Sequence, residues 1–229
     1  MIYFKYLLYL YVLIGYSLSS AGAYDDFFKA VELDQPDKVQ RLLERGFDPN
    51  SPNPKGQPAL VFAMQQSSNK VVDLLVNWPT TKLSVKNPQG ETPLMLAALN
   101  NKLPLAKLLI LRGADVNQAG WTPLHYAATR GHIEMMRLMI DNSAYLDAES
   151  PNGTTPLMMA AHYGTPMAVK LLLEEGADPR IKNKLGLSAW DFSVNSKNEA
   201  QKAETQQYLM AFSGVWAQKY PSPAGGRQN

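Results

Sequence analysis

Three histidines, His125, His132 and His162, carry the side chains of this sequence that titrate near neutrality, the usual material of a general base, a proton shuttle or a metal ligand. Their spacing assembles none of these. His125 and His132 lie seven residues apart without an H-E-x-x-H, and neither a G-x-S-x-G nucleophile elbow nor a G-x-x-x-x-G-K-S/T phosphate loop occurs. The lack of cysteine excludes a thiol nucleophile, a Cys-ligated zinc or iron–sulfur centre and a disulfide framework. The neighbouring carboxylates Asp25-Asp26 and Glu174-Glu175 point in different directions on a helix, so neither makes an acid–base couple. Arg180, Lys182 and Lys184 form a basic spot of three charges, better suited to solubility than to phosphate binding. The residues capable of chemistry therefore predict no enzyme, no metal and no cofactor.

Bulk composition and the first residues narrow the partner and the compartment. Over 229 residues, 22 Lys+Arg stand against 20 Asp+Glu, and the aromatic residues are not interleaved with a basic stripe, so nucleic acid is not the expected partner. Met1 to Ala23 has one charge, Lys5, then an apolar run from Tyr6 to Leu18, then Ser19-Ser20-Ala21-Gly22-Ala23. That run falls short of the roughly 20 apolar residues that span a bilayer, and Ala21 and Ala23 fit a small-residue cleavage site. Residues 1–23 read as a signal peptide cut after Ala23, with an uncleaved anchor as the competing reading. The product is an exported chain with no membrane attachment in its mature form, periplasmic or, as the alternative, fully secreted.

The elements that must position any site come from self-comparison. Thr92-Pro93-Leu94-Met95-Leu96-Ala97-Ala98, Thr122-Pro123-Leu124-His125-Tyr126-Ala127-Ala128 and Thr155-Pro156-Leu157-Met158-Met159-Ala160-Ala161 are nearly one heptapeptide, starting 30 and 33 residues apart. Degenerate copies begin at Asp25, Pro58 and Ser188, giving six repeats. In each, Thr serves as helix N-cap, Pro takes the first helical position where its missing N–H costs nothing, and the Ala pair lets neighbouring helices approach. Seventeen and eighteen residues after each start come apolar pairs such as Leu42-Leu43, Leu109-Ile110, Met139-Ile140 and Leu172-Leu173, the seam of a second helix. Gly46, Gly113 and Gly176 then sit where a helix end needs a left-handed residue, ahead of a projecting turn.

With these residues in place, the sequence resembles the ankyrin-repeat family, most closely over Gly120 to Ala148, and the resemblance runs from about Asp25 to Phe212. It implies an all-α repeat solenoid of helix–turn–helix pairs, each followed by a β-hairpin finger, with atypical terminal repeats as caps. The expected organisation is thus a signal peptide over 1–23, a repeat domain over 24–212 and a disordered tail over 213–229. Repeat 2 closes with Trp78-Pro79-Thr80-Thr81 where Gly-Ala-Asp is expected, so its second helix should end irregularly and its finger be displaced. Repeat 3 is three residues short between Gly113 and Gly120, leaving a notch in the row of fingers.

The resemblance also assigns roles. His125 and His132 fall at structural positions of the repeat, and the five methionines from Met135 to Met159 read as adaptable core. Finger tips and the outward positions of the first helices form the family's binding face, which transfers here to Gln89, Glu91, Leu99, Asn100, Trp121, Arg130, Thr154, His162 and Tyr163. Trp121, Arg130, His162 and Tyr163 fall on consecutive repeats and are of the types that dominate interface hot spots. The expected function is a non-catalytic, monomeric protein-interaction scaffold in the bacterial envelope. A secreted effector that binds a host protein is one alternative. A stress-defence accessory protein or enzyme using His162, Tyr163 and Arg130 is the other.

Overall fold

A computed structural model describes residues 22–196 and 199–219, with side chains for 22–196 and 199–214. Most of the signal-peptide segment and residues 220–229 of the expected tail lie outside the described residues. Among the described residues there are twelve helices: α1 over 22–32, α2 Pro36–Glu44, α3 Ala59–Gln66, α4 Asn69–Asn77, α5 Pro93–Leu99, α6 Leu103–Leu111, α7 Pro123–Arg130, α8 Ile133–Asp141, α9 Pro156–Tyr163, α10 Pro166–Glu175, α11 Ala189–Val194 and α12 Glu199–Lys219. Helices of two or three turns are unstable alone, so each depends on its neighbours in the stack. The chain divides into two compact units, one ending at Pro93 and one beginning at Leu94. No helix among the described residues is long and apolar enough to cross a membrane.

In the first unit the core is aromatic where the chain enters it. Phe27 stacks on Phe47 with ring centroids 4.3 Å apart, and Phe28 meets Phe62 edge-on at 5.9 Å. Tyr24, the first residue after the expected cut, donates its hydroxyl to the Pro52 carbonyl at 2.7 Å. Helix α4 ends at Trp78 in an extended conformation, the irregular close that its sequence predicts. The finger that follows is nevertheless held in the ordinary register rather than displaced. Asn50 of the preceding finger donates to the Thr80 carbonyl and accepts the Lys82 N–H, at 2.9 and 2.7 Å.

In the second unit, α7, α9 and α11 pack side by side as one row, and α8, α10 and α12 pack against them as a second. The starts are as the sequence dictates. Pro opens α7, α9 and α10. Thr155 accepts the Met158 N–H, and Ser188 forms a reciprocal cap with Asp191. Met135, Met136, Met139 and Met158 are fully buried, as expected of core. The left-handed residue after the second helix is Gly176 at φ 107°, but in repeat 4 Ser143 accepts the same region at φ 64°.

Three expectations are corrected. The fingers are turns rather than β-hairpin ladders: among the described residues only isolated bridges occur, Pro52 with Pro58 and Lys182 with Ser188. Three of them are built instead on buried asparagines, Asn53, Asn87 and Asn183, whose side-chain oxygens each accept two backbone N–H groups. Residues 213–219, expected to begin a disordered tail, continue α12 to Lys219. Leu209 is buried in that helix, which packs on α10 and α11. Thr154, expected at the binding surface, is 1% exposed, for a reason that belongs to the site itself.

Gly164, at the end of α9, shows how closely α7 and α9 approach. A Cβ there would collide with the Ala128 carbonyl oxygen of α7 and stand 2.9 Å from that of Ala160. Both obstacles are backbone, so the helices themselves would have to move. Gly164→Ala is expected to cost about 2 kcal/mol in urea denaturation. An unchanged midpoint would mean that α7 and α9 can move apart without penalty.

Candidate functional site

Residues +4 and +7 from the start of each repeat lie on the same side of the first helix. In repeat 3 the +7 residue is Leu99; in repeat 4 they are Tyr126 and Thr129; in repeat 5 they are Met159 and His162. Leu99, Tyr126, Thr129 and Met159, with Trp121 and the wall of His125, line a cleft of about 200 Å³ whose surface is mostly apolar. Trp121 stands at the base of the shortened third finger, where the missing residues would otherwise project. Gln118 of that finger turns inward, donating its amide to the Trp121 carbonyl at 3.0 Å and to the Met95 sulfur at 3.3 Å.

His125 is the pillar behind this cleft. Its side chain is fully buried; Nδ1 accepts the Thr122 N–H at 3.1 Å, and Nε2 donates to the Thr154 carbonyl in the next repeat at 2.9 Å. Those partners require the neutral imidazole with its proton on Nε2. Trp121 meets the ring edge-on at 5.1 Å. Burial pushes the His125 pKa down to about 4, although the carbonyls of Thr154 and Ala148 pull the other way. The same bond explains Thr154: its carbonyl serves His125 and its N–H donates to the Ser150 hydroxyl at 3.0 Å, so it belongs to the repeat junction.

A consequence for stability follows directly. The unfolded imidazole takes a proton near 6.5 and the folded one near 4, so between these values the unfolded chain binds more protons. Stability is full above pH 6.5 and declines as the pH falls towards 4, by about 3 kcal/mol in total from this group. Urea midpoints measured across that range check the decline. A flat profile in the wild type, with a slope unaffected by His125→Gln, would contradict it.

The remaining expected site residues are dispersed. His162 donates from Nδ1 to the Phe192 carbonyl at 3.0 Å and meets the Tyr163 ring edge-on at 4.1 Å, so its imidazole joins α9 to α11. Tyr163 is 61% exposed, and Arg130 is exposed at the end of α7; neither lines the cleft. Asn100 is exposed but folds its amide back onto the Leu96 carbonyl at 2.8 Å. In the first unit, Gln89 is exposed at a finger tip, whereas Glu91 accepts the Asn87 amide at 2.9 Å. Leu99 and Trp121 are thus brought together, with Tyr126, Thr129 and Met159 beside them. Tyr126 and Met159 are absent from the expected binding face, although their +4 position in the repeat carries the signal for them. Among the described residues no group of His, Asp or Glu is arranged to hold a metal ion.

Comparison with known proteins agrees with this architecture. The family model for ankyrin repeats, in three copies, matches residues 27–119 and 98–183. The chain is 30% identical over 161 residues to the nuclear factor NF-kappa-B p105 subunit of Gallus gallus, covering 67% of this chain and 16% of that protein. It is 28% identical over 192 residues to the tyrosine-protein kinase Shark of Drosophila melanogaster, 82% of this chain and 20% of the kinase. The chain therefore spans a fifth or less of these relatives. Among solved structures, an ankyrin repeat domain from Acinetobacter baumannii superposes with a TM-score of 0.69 at 22% identity, covering 81% of this chain and 96% of that one. A chain from the complex of the predatory endopeptidase Bd0816 of Bdellovibrio bacteriovorus with the immunity protein Bd3460 gives 0.66 at 28% identity, covering 81% and 97%.

Proposed function

Because this chain belongs to the ankyrin-repeat family, whose repeats generally serve as non-catalytic modules for protein–protein interaction, we propose that it is an exported binding module that captures a partner protein at the Trp121 cleft. The observation that carries the reading is the cleft itself. At about 200 Å³ it is smaller than the roughly 300–1,000 Å³ of small-molecule sites, and it suits one aliphatic or aromatic side chain of a partner. Its half-buried Trp and Tyr are rigid anchors that lose little entropy on binding. The neighbour drawn from an endopeptidase–immunity protein complex supports an endopeptidase as the class of partner to try first.

The signal-like first residues support export, with the periplasm as the proposed destination and secretion towards a host protein as the alternative. Fractionation with mass spectrometry of the N-terminus tests this half: a periplasmic chain beginning at Tyr24 is expected, and a cytosolic chain with Met1 intact would overturn it. The other half is tested by filling the cleft with Thr129→Trp, which leaves Trp121 in place. Partner capture by the folded variant should be lost, and undiminished capture would remove the cleft from the interface. An enzymatic role for His162, Tyr163 and Arg130 draws no support from the geometry, since the His162 imidazole is engaged by Phe192 and the cleft excludes all three.

A further inference from the structure

Three pairs of adjacent fingers are each joined at one register position by one side chain. Asn50 donates its amide to the Thr80 carbonyl and accepts the Lys82 N–H, at 2.9 and 2.7 Å. Asn117, at the same place in finger 3, donates to the Ser143 carbonyl and accepts the Tyr145 N–H, at 2.7 and 2.9 Å. In both, the carbonyl lies two residues before the N–H. Finger 4 has Asp147 at this position, and its two oxygens accept the Asp178 N–H at 3.0 and 3.3 Å. By the same two-residue offset from the N–H of Asp178, the carbonyl corresponding to those of Thr80 and Ser143 is that of Gly176. An amide meets a carbonyl with a donor; a carboxylate meets it only with lone pairs.

We propose that Asp147 is a proton-dependent staple between fingers 4 and 5: ionised, it makes the N–H half of the junction alone, and protonated, it donates its O–H to the Gly176 carbonyl and completes the pattern of Asn50 and Asn117. Burial, with one neighbouring negative charge, favours the protonated form. Burial raises the Asp147 pKa above the ordinary carboxylate value, the Asp178 charge adds to the rise, and the bond from the Asp178 N–H opposes it. Asp178 cannot take the proton instead. Despite its own desolvation, its pKa is lowered by Arg180, which grips both its oxygens at 3.0 Å. The other acidic groups nearby in sequence, Glu149 on the same finger, Asp115 on the finger before, and Asp141, Glu174 and Glu175 at the ends of α8 and α10, are exposed. A folded pKa raised in this way contributes stability that is present in acid and lost as the pH rises through it. That sign is opposite to the His125 effect.

The staple lies outside the binding cleft and does not depend on the proposed partner. Its test is Asp147→Asn in the full chain, which supplies the donor at every pH. At pH 7 the variant is expected to melt about 3 °C above wild type. Amide exchange at residues 176–178 should slow by roughly fivefold, the effect of one added hydrogen bond. Both differences should shrink as the pH is lowered into the acidic range, where Asp147 of the wild type gains its proton ahead of an ordinary carboxylate. His125 is common to both proteins, so its titration cancels. A variant that melts at or below wild type at pH 7, or a difference that does not change with pH, would overturn the proposal.

Discussion

Replacing Trp121 with alanine is expected to weaken the complex with the partner by about 30-fold or more, equivalent to at least 2 kcal/mol. The reasoning is local. Trp121 supplies the largest ring of the cleft and closes it at the short third finger, so its removal opens the cleft to water and takes away the anchor that a partner side chain would meet. Calorimetric titration of the wild type and of Trp121→Ala against the captured partner measures the loss. Because the indole also leans on His125, the same samples should be melted to show that the variant remains folded under the assay conditions. A folded variant that binds within threefold of wild type would show that the interface lies elsewhere on the chain.

The second large effect falls on stability rather than binding. His125→Ala removes the bond that crosses from repeat 4 to repeat 5, leaves the buried Thr154 carbonyl without that donor and opens a void behind the cleft. A loss of about 3–5 kcal/mol is expected, combining an unpaired buried carbonyl with a large-to-small core change. His125→Gln, which retains one donor, should recover part of it. Urea denaturation at pH 7 gives both values, and a loss below about 1 kcal/mol for the alanine variant would mean that Thr154 finds another partner. At pH 4 the penalty should narrow, since the wild type has by then lost the advantage of a neutral imidazole.

The fold was legible in the sequence because its units are short and chemically repetitive. Thr-Pro at 92, 122 and 155 marks a cap and a first helical residue, and the α5, α7 and α9 helices begin there. The irregular end of α4 at Trp78 was equally readable from a missing Gly-Ala-Asp. What escaped was interaction at long range. The displaced finger of repeat 2 does not occur because Asn50, 30 residues earlier, holds Thr80 in register. Residues 213–219 read as a tail because no repeat demands them, yet α12 docks on α10 and α11 and carries them along as helix. The turn asparagines had a signal, Asn-x-x-Gly at 53, 87 and 183, which is overlooked when attention stays on the helices.

The site was half legible for a related reason. Register alone places Leu99 on the exposed side of its first helix and Trp121 at the base of a finger, and the cleft contains both. Register cannot say which neighbouring atoms consume a side chain's capacity to bind. Thr154 is two residues from an exposed finger tip, but its carbonyl and N–H face His125 and Ser150 and it is buried. His162 is half-buried, yet Phe192 holds its imidazole. Conversely, Tyr126 and Met159 fall in a helix segment dominated by core positions, and only the packing of α7 beside α9 leaves them a shared open side.

Photocrosslinking in the native cell shows whether a partner occupies the cleft. A photoreactive residue is placed singly at Trp121 and at Tyr126 in the cleft, and at the exposed Arg137 on α8 as control. A discrete adduct with one exported protein is expected from both cleft positions and none from Arg137. Background alone at Trp121 and Tyr126, from a chain verified as folded and exported, or an equal adduct at Arg137, would contradict it.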